Sequence, residues 1–250
     1  MASSPFRALL FDMDGVLVDV SNSYRRTISE TVHFFTGREI TGEQIQQYKD
    51  RGGFNDDWKL TYTLIREAGM EVSYSRMHDE FQRRYRGENW NGLIQQEASL
   101  VTPQTLAQLQ PGRVFGIVTG RPEAEAKWTL DYLGLRKSFP LLVAMEQQDR
   151  RTKPDPYPLR RSLAMLKQCG MTVEPEEAVY VGDTGDDMLA ARAAGFWAIG
   201  HVPPQADPER HEGILRDRGA HLVIRGLNEL PGALSELEHM AAKQQQEVYA

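Results

Sequence analysis

Asp12 and Asp14 stand one residue apart at the end of the apolar run Ala8-Leu9-Leu10-Phe11, and Gly15 follows them. In an extended chain residues i and i+2 face the same side, so both carboxylates project into one volume, roughly 6–7 Å apart along the strand. They repel unless a cation, a proton or a lysine compensates them. Gly15 lets the chain turn with little side-chain obstruction. A calcium loop would need further oxygen ligands, and apolar Val16, Leu17 and Val18 stand in the following positions instead. A chance DxDG in a surface turn is the other reading.

Three further stretches carry polar chemistry directly after apolar runs or near a helix start. Thr119-Gly120-Arg121-Pro122 follows Val114–Val118. It offers a hydroxyl, accessible backbone N–H groups at Gly120, and a proline suited to a first helical turn, where unpaired N–H groups favour an anion such as phosphate. The alternative is that Thr119 only caps the helix. Lys153 precedes Pro154, which biases it toward an extended conformation and a rigid turn. Gly182-Asp183-Thr184-Gly185-Asp186-Asp187 follows Ala178–Val181. Asp183 comes directly off that strand, whereas Asp186 and Asp187 could serve only as favourable charges at a helix N-terminus.

The elements that must position these groups alternate. From about Leu100 the spacing predicts helices over 102–109, 123–133, 158–168 and 187–194, with strands at 114–118, 141–144, 178–181, 197–199 and 221–224. With the strand at 8–11, this is an α/β pattern: a Rossmann-like, doubly wound, mainly parallel sheet, whose ligands collect at the carboxyl ends of its strands. Between the first strand and this alternation, amphipathic patterns predict helices over 24–35, 42–48, 58–68 and 75–85. This strand-free stretch reads as an inserted α-helical cap domain over 19–96, leaving 1–18 and 97–250 as the core. A polar, frayed tail is expected at Gln244-Gln245-Gln246.

Composition bounds the rest. Across 250 residues, 40% are hydrophobic and 26% charged, which suits a packed soluble chain. A net charge of −6 argues against non-specific nucleic-acid binding, which needs a basic surface, but leaves room for a basic pocket around a small anion. Cys169 is the sole cysteine, so neither an intramolecular disulfide nor a cysteine-built zinc site is available. No signal peptide or membrane-spanning run is present, so a soluble, cytoplasmic protein with no membrane partner is expected.

The run Asp12-Met13-Asp14-Gly15-Val16-Leu17-Val18-Asp19 resembles the nucleophile motif D-x-D-G-[VTS]-[LI]-x-D of the haloacid dehalogenase superfamily. Thr119 resembles that family's second motif, Lys153 its third, and Gly182-Asp183-Thr184-Gly185-Asp186-Asp187 its fourth, G-D-[ST]-x-x-D. The four occur in the family's order and span most of the chain. Together with the cap, they resemble the phosphoglycolate phosphatase and β-phosphoglucomutase-like branch.

The resemblance implies a Mg²⁺-dependent phosphatase that hydrolyses a small phosphate monoester, a sugar phosphate or phosphoglycolate-like compound, through an aspartyl-phosphate on Asp12. It implies Asp14 as acid and base, with Thr119 and Lys153 stabilising the phosphoryl group. Asp12, the Asp14 backbone carbonyl and Asp183 would hold the metal, with Asp187 as a supporting acid, though Asp186 leaves that last choice open. Gly120 and Arg121 would bind substrate. In the cap, Arg51, Asn55 and Trp58, then Lys49, are the candidates for substrate contact, against a solvated loop with Trp58 as a core anchor. The alternatives are a phosphosugar mutase of the β-phosphoglucomutase type and a catalytically silent binding protein. The expected partner is a small phosphorylated metabolite, and the oligomeric state is left open.

Overall fold

The structure is a computed structural model that describes residues 4–54 and 56–248. It divides into two compact units, one made of the chain through Val18 together with Ser99 onward, the other of Asp19–Ala98. β1 (Ala8–Phe11) belongs to the first, and the chain crosses at β2 (Val18–Asp19) and β3 (Ala98–Ser99), which pair with each other.

The helical unit contains a π-helical turn at Ser21–Arg25 and four helices: α1 (Arg26–Thr36), α2 (Gly42–Arg51), α3 (Asp57–Glu67) and α4 (Tyr74–Tyr85). Thr41, Asp56 and Ser73 cap the last three through their side-chain oxygens, which accept otherwise unpaired N–H groups. Its interior is apolar and aromatic: Tyr24 stacks on Tyr85 at 4.0 Å between centroids, beside buried Ile28, Val32, Leu64 and Phe81. Buried Glu97 accepts hydrogen bonds from Ser23 Oγ at 3.1 Å and Tyr85 Oη at 2.9 Å, which offset the cost of enclosing a carboxylate.

In the other unit α5 (Pro103–Leu109), β4 (Val114–Val118), α6 (Glu123–Tyr132), β5 (Leu141–Val143), α7 (Tyr157–Gln168), β6 (Ala178–Gly182), α8 (Gly185–Ala194), β7 (Trp197–His201), α9 (Pro208–Asp217), β8 (Leu222–Ile224) and α10 (Leu230–Val248) follow in turn. The six long-range strands form one parallel sheet in the order β5-β4-β1-β6-β7-β8. Its central strands are apolar almost throughout because both faces are covered. Leu10, Val118, Tyr180 and Ala198 share one cluster with Leu159 and Met188 from α7 and α8. Phe11, whose side chain alternates to the other face, meets Phe115 and Phe139 edge-on at 6.0 and 5.7 Å.

Two helices depart from the expected pattern. α9 starts at an Asp207-Pro208 pair, with the Asp207 side chain accepting from Arg210 N–H. α10 carries the helix through Gln244–Gln246 to Val248, where a frayed tail was expected, and Leu230, Leu234, Leu237 and Ala241 form its buried stripe. That burial anchors the helix well before its polar end. No described helix is long and apolar enough to cross a membrane.

Candidate active site

Register brings the polar strand ends together. Phe11 lies opposite Ile117 on one side and Val181 on the other, so Asp12 comes level with Val118 and Gly182. Thr119 and Asp183 therefore lie one residue further along, a rise of about 3.3 Å. Hydrogen bonding continues past the strand ends, with Asp12 N–H donating to Val181 O at 2.8 Å and Thr119 N–H to Val143 O at 3.0 Å.

Lys153 is the buried cation of this cluster. Its Nζ lies 3.1 Å from Asp12 Oδ1, 2.6 Å from Asp187 Oδ1 and 2.8 Å from Tyr180 Oη, with Val118 O further off at 3.4 Å. Tyr180 in turn donates to Val118 O at 3.1 Å. The other Asp187 oxygen accepts from Thr184 N–H at 3.0 Å and Thr184 Oγ1 at 2.7 Å. Burial raises the Asp12 carboxyl to about 7, with Lys153 opposing and Asp187 and Asp14 reinforcing the rise. Burial works against the Lys153 charge, but Asp12 and Asp187 prevail and hold its ammonium well above the ordinary lysine range.

Asp14 faces a different cation. Arg121 Nε donates to Asp14 Oδ1 at 2.6 Å, and the same guanidinium donates through Nη1 to Thr129 Oγ1 at 3.0 Å. Arg121 N–H donates to Thr119 Oγ1 at 3.2 Å, while Gln148 Nε2 donates to Thr119 O at 2.6 Å. Thr119 therefore braces its own turn rather than capping α6, which starts only at Glu123. Glu123 N–H at the start of α6 donates to Glu146 Oε2 at 2.8 Å.

Gly15 and Asp183 approach closely. A Cβ on Gly15, whose φ is +71°, would fall 2.1 Å from Asp183 Oδ2. His201 Nδ1 lies 2.7 Å from Gly15 O, and His211 Nε2 lies 2.7 Å from Asp183 O. Burial lowers the His201 pKa, with the Gly15 hydrogen bond opposing.

Asp12, Asp183 and Asp187 each offer a carboxylate oxygen within 4.8 Å of the others, all three buried. Three enclosed carboxylates against one Lys153 ammonium leave two surplus negative charges when all are ionised. A hard divalent cation with oxygen preference fits both that charge and that donor set. Both Asp187 oxygens already serve Lys153 and Thr184, so Asp12 and Asp183 are the carboxylates best placed for direct ligation. Between Asp186 and Asp187, Asp187 is the one gathered with the other two.

A family model of haloacid dehalogenase-like hydrolases matches residues 6–195. The chain belongs to the haloacid dehalogenase-like hydrolase family. A phosphoglycolate phosphatase from Xylella fastidiosa is 32% identical over 193 residues, covering 76% of this chain and 77% of that protein. An imidazoleglycerol-phosphate dehydratase from Phytophthora nicotianae is 36% identical over 244 residues, covering 91% of this chain, which spans only 52% of that longer protein. A crystal structure of a phosphoglycolate phosphatase, so named by prediction, from Haemophilus somnus superposes with a TM-score of 0.71 at 17% identity, covering 92% of this chain and 98% of that one. That likeness shows the fold.

In this haloacid dehalogenase-like hydrolase the sequence-expected core residues Asp12, Asp14, Thr119, Lys153, Asp183 and Asp187 gather around the ends of β1, β4 and β6. Gly120 is exposed on the same turn as Thr119. Arg121, expected to touch substrate, is 2% exposed and turned onto Asp14 and Thr129, because the β1–β4 register sets its turn beside the Asp14 loop. In the helical unit Lys49 is paired with Asp57 at 2.9 Å, Arg51 lies over the Tyr48 ring at 4.8 Å, and Trp58 meets His78 edge-on at 4.6 Å. Asn55 lies outside the described residues. Sequence reasoning missed Tyr180, Gln148, His201 and His211. A tyrosine inside an otherwise apolar strand was the available signal for Tyr180, since a buried phenol needs a partner.

Proposed function

We propose that the chain is a Mg²⁺-dependent phosphatase acting on a small phosphate monoester, with Asp12 as nucleophile. The observation that carries this is the Lys153 bridge between Asp12 and Asp187, beside Asp183. It holds a carboxylate at a strand end, next to a permanent cation and a site for a dication. A bound Mg²⁺, held by Asp12, Asp183 and the Asp14 backbone carbonyl, would neutralise charge between the nucleophile and the phosphoryl oxygens.

Ionised Asp12 attacks phosphorus in line, and the bond from phosphorus to the ester oxygen breaks as Asp14 gives that oxygen a proton. Asp14 then takes a proton from water, whose oxygen attacks phosphorus, releasing inorganic phosphate and restoring Asp12. Lys153 and the Thr119 turn stabilise the charge on the transferring group, the main demand of phosphoryl transfer. Arg121 holds Asp14 through Oδ1, and Oδ2 is the oxygen that would carry the proton while the pair keeps the group in place.

The phosphoglycolate phosphatase name of the Xylella relative supports a small phosphorylated acid or sugar as substrate. The dehydratase name of the Phytophthora relative belongs to a protein of which this chain spans about half, and the residues gathered here serve phosphoryl transfer instead. The test is phosphate release from a panel of phosphorylated sugars, glycolates and nucleotides, with Mg²⁺ or with EDTA, for wild type beside Asp12→Asn. Metal-dependent release lost in Asp12→Asn is expected. Absence of release from every ester, or release unaffected by Asp12→Asn, overturns the reading, and phosphoryl transfer to a second sugar hydroxyl would mark a mutase.

A further inference from the structure

Two buried histidines lie behind the site without touching its chemistry. His201 ends β7, His211 lies within α9, and both are almost fully enclosed. Each ring faces the backbone of a different carboxylate-bearing loop. His201 Nδ1 meets Gly15 O, in the turn after Asp12 and Asp14, and His211 Nε2 meets Asp183 O, both at 2.7 Å. A carbonyl oxygen can only accept, so both ring nitrogens carry hydrogen.

These loops have almost no spare room between them. Asp183 Oδ2 lies so near Gly15 that even a methyl group on Gly15 would meet it at 2.1 Å. The turn after Asp14 and the Asp183 carboxylate are thus packed against each other, and a shift of either carbonyl moves one loop against the other. An apolar side chain at 201 or 211 would leave its carbonyl without that donor.

We infer that His201 and His211 are positioning residues that clamp the Gly15 and Asp183 carbonyls and so fix the spacing of the two metal-binding loops. The inference rests on the metal-assisted reading proposed above. Outer groups that orient metal ligands are typically worth about 10–100-fold in metal affinity. A histidine that only fills the core would affect stability and leave that affinity unchanged.

The test is Mn²⁺ binding to the whole chain by calorimetry, without substrate, with the melting temperature of each metal-free protein as a folding control. His201→Leu and His211→Leu are expected to weaken Mn²⁺ about 10-fold or more. His201→Asn and His211→Gln return an N–H to the Nδ1 and Nε2 positions and are expected to restore most of it. Folded leucine variants that bind like wild type overturn the inference, as do Asn and Gln variants as impaired as the leucine ones. Wild type that binds no Mn²⁺ overturns the metal reading itself. Should the leucine variants not fold, ¹⁵N-histidine NMR of wild type decides: the His201 Nδ1–H and His211 Nε2–H signals should shift with added Mg²⁺ while those of His33, His78 and His239 stay fixed. His201 and His211 signals that stay fixed under saturating Mg²⁺ overturn it.

Discussion

Arg121 grips Asp14 through Nε at 2.6 Å, although the two stand 107 positions apart and the arginine is buried where the aspartate is partly open. The planar guanidinium can serve Asp14 and Thr129 at once, a fork that a lysine cannot reproduce. Arg121→Lys should therefore lower kcat by about 10–100-fold, part of the ~10²–10⁴-fold that a placed acid-base group supplies, with KM little changed. Steady-state kinetics on the best ester checks this. A rise in KM at constant kcat would show that Arg121 binds substrate instead.

Lys153 is sandwiched between two carboxylates, so its loss costs more than a contact. Lys153→Met leaves Asp12 and Asp187 enclosed without their cation and should destabilise the metal-free protein by about 3–5 kcal/mol at pH 7. Urea denaturation checks the size, and the deficit should shrink at pH 5, where Asp12 holds its proton.

The strand ends were legible in the sequence because a polar side chain appears where each apolar run stops: Asp12 after Phe11, Thr119 after Val118, Asp183 after Gly182. The Arg121–Asp14 pair was not, since it depends on the register of β1 against β4. His201 and His211 leave no pattern because their partners are backbone carbonyls, which every residue has. The helix α10 was hidden for another reason. Its Leu230, Leu234, Leu237 stripe is diluted by glutamates and glutamines, and burial rather than composition decides it.

Asp12 makes metal-free stability depend on pH. Its carboxyl sits at about 7 in the folded chain against an ordinary 3.8. Between those values the folded state keeps a proton that the unfolded chain has released, so stability falls as pH rises, by up to about 1.4 kcal/mol per pH unit. In EDTA the urea midpoint of wild type should drop from pH 5 to pH 8 more than that of Asp12→Asn. Saturating Mg²⁺ should remove the difference, because a bound cation favours ionised Asp12.

Gly15 leaves the space that Asp183 uses. Gly15→Ala would place its methyl 2.1 Å from Asp183 Oδ2 at a φ of +71°, so the carboxylate must move. Mn²⁺ affinity should fall about 10-fold or more, measured by calorimetry on the folded variant.

In the proposed reaction Asp12 itself takes the phosphoryl group. Rapid acid quench of the enzyme with Mg²⁺ and its best ester, followed by peptide mass spectrometry, tests it directly. A phosphoryl adduct on the peptide containing Asp12, labile to hydroxylamine and absent from Asp12→Asn, is expected. Turnover with no adduct at any quench time, and with Asp12→Asn still active, would contradict it.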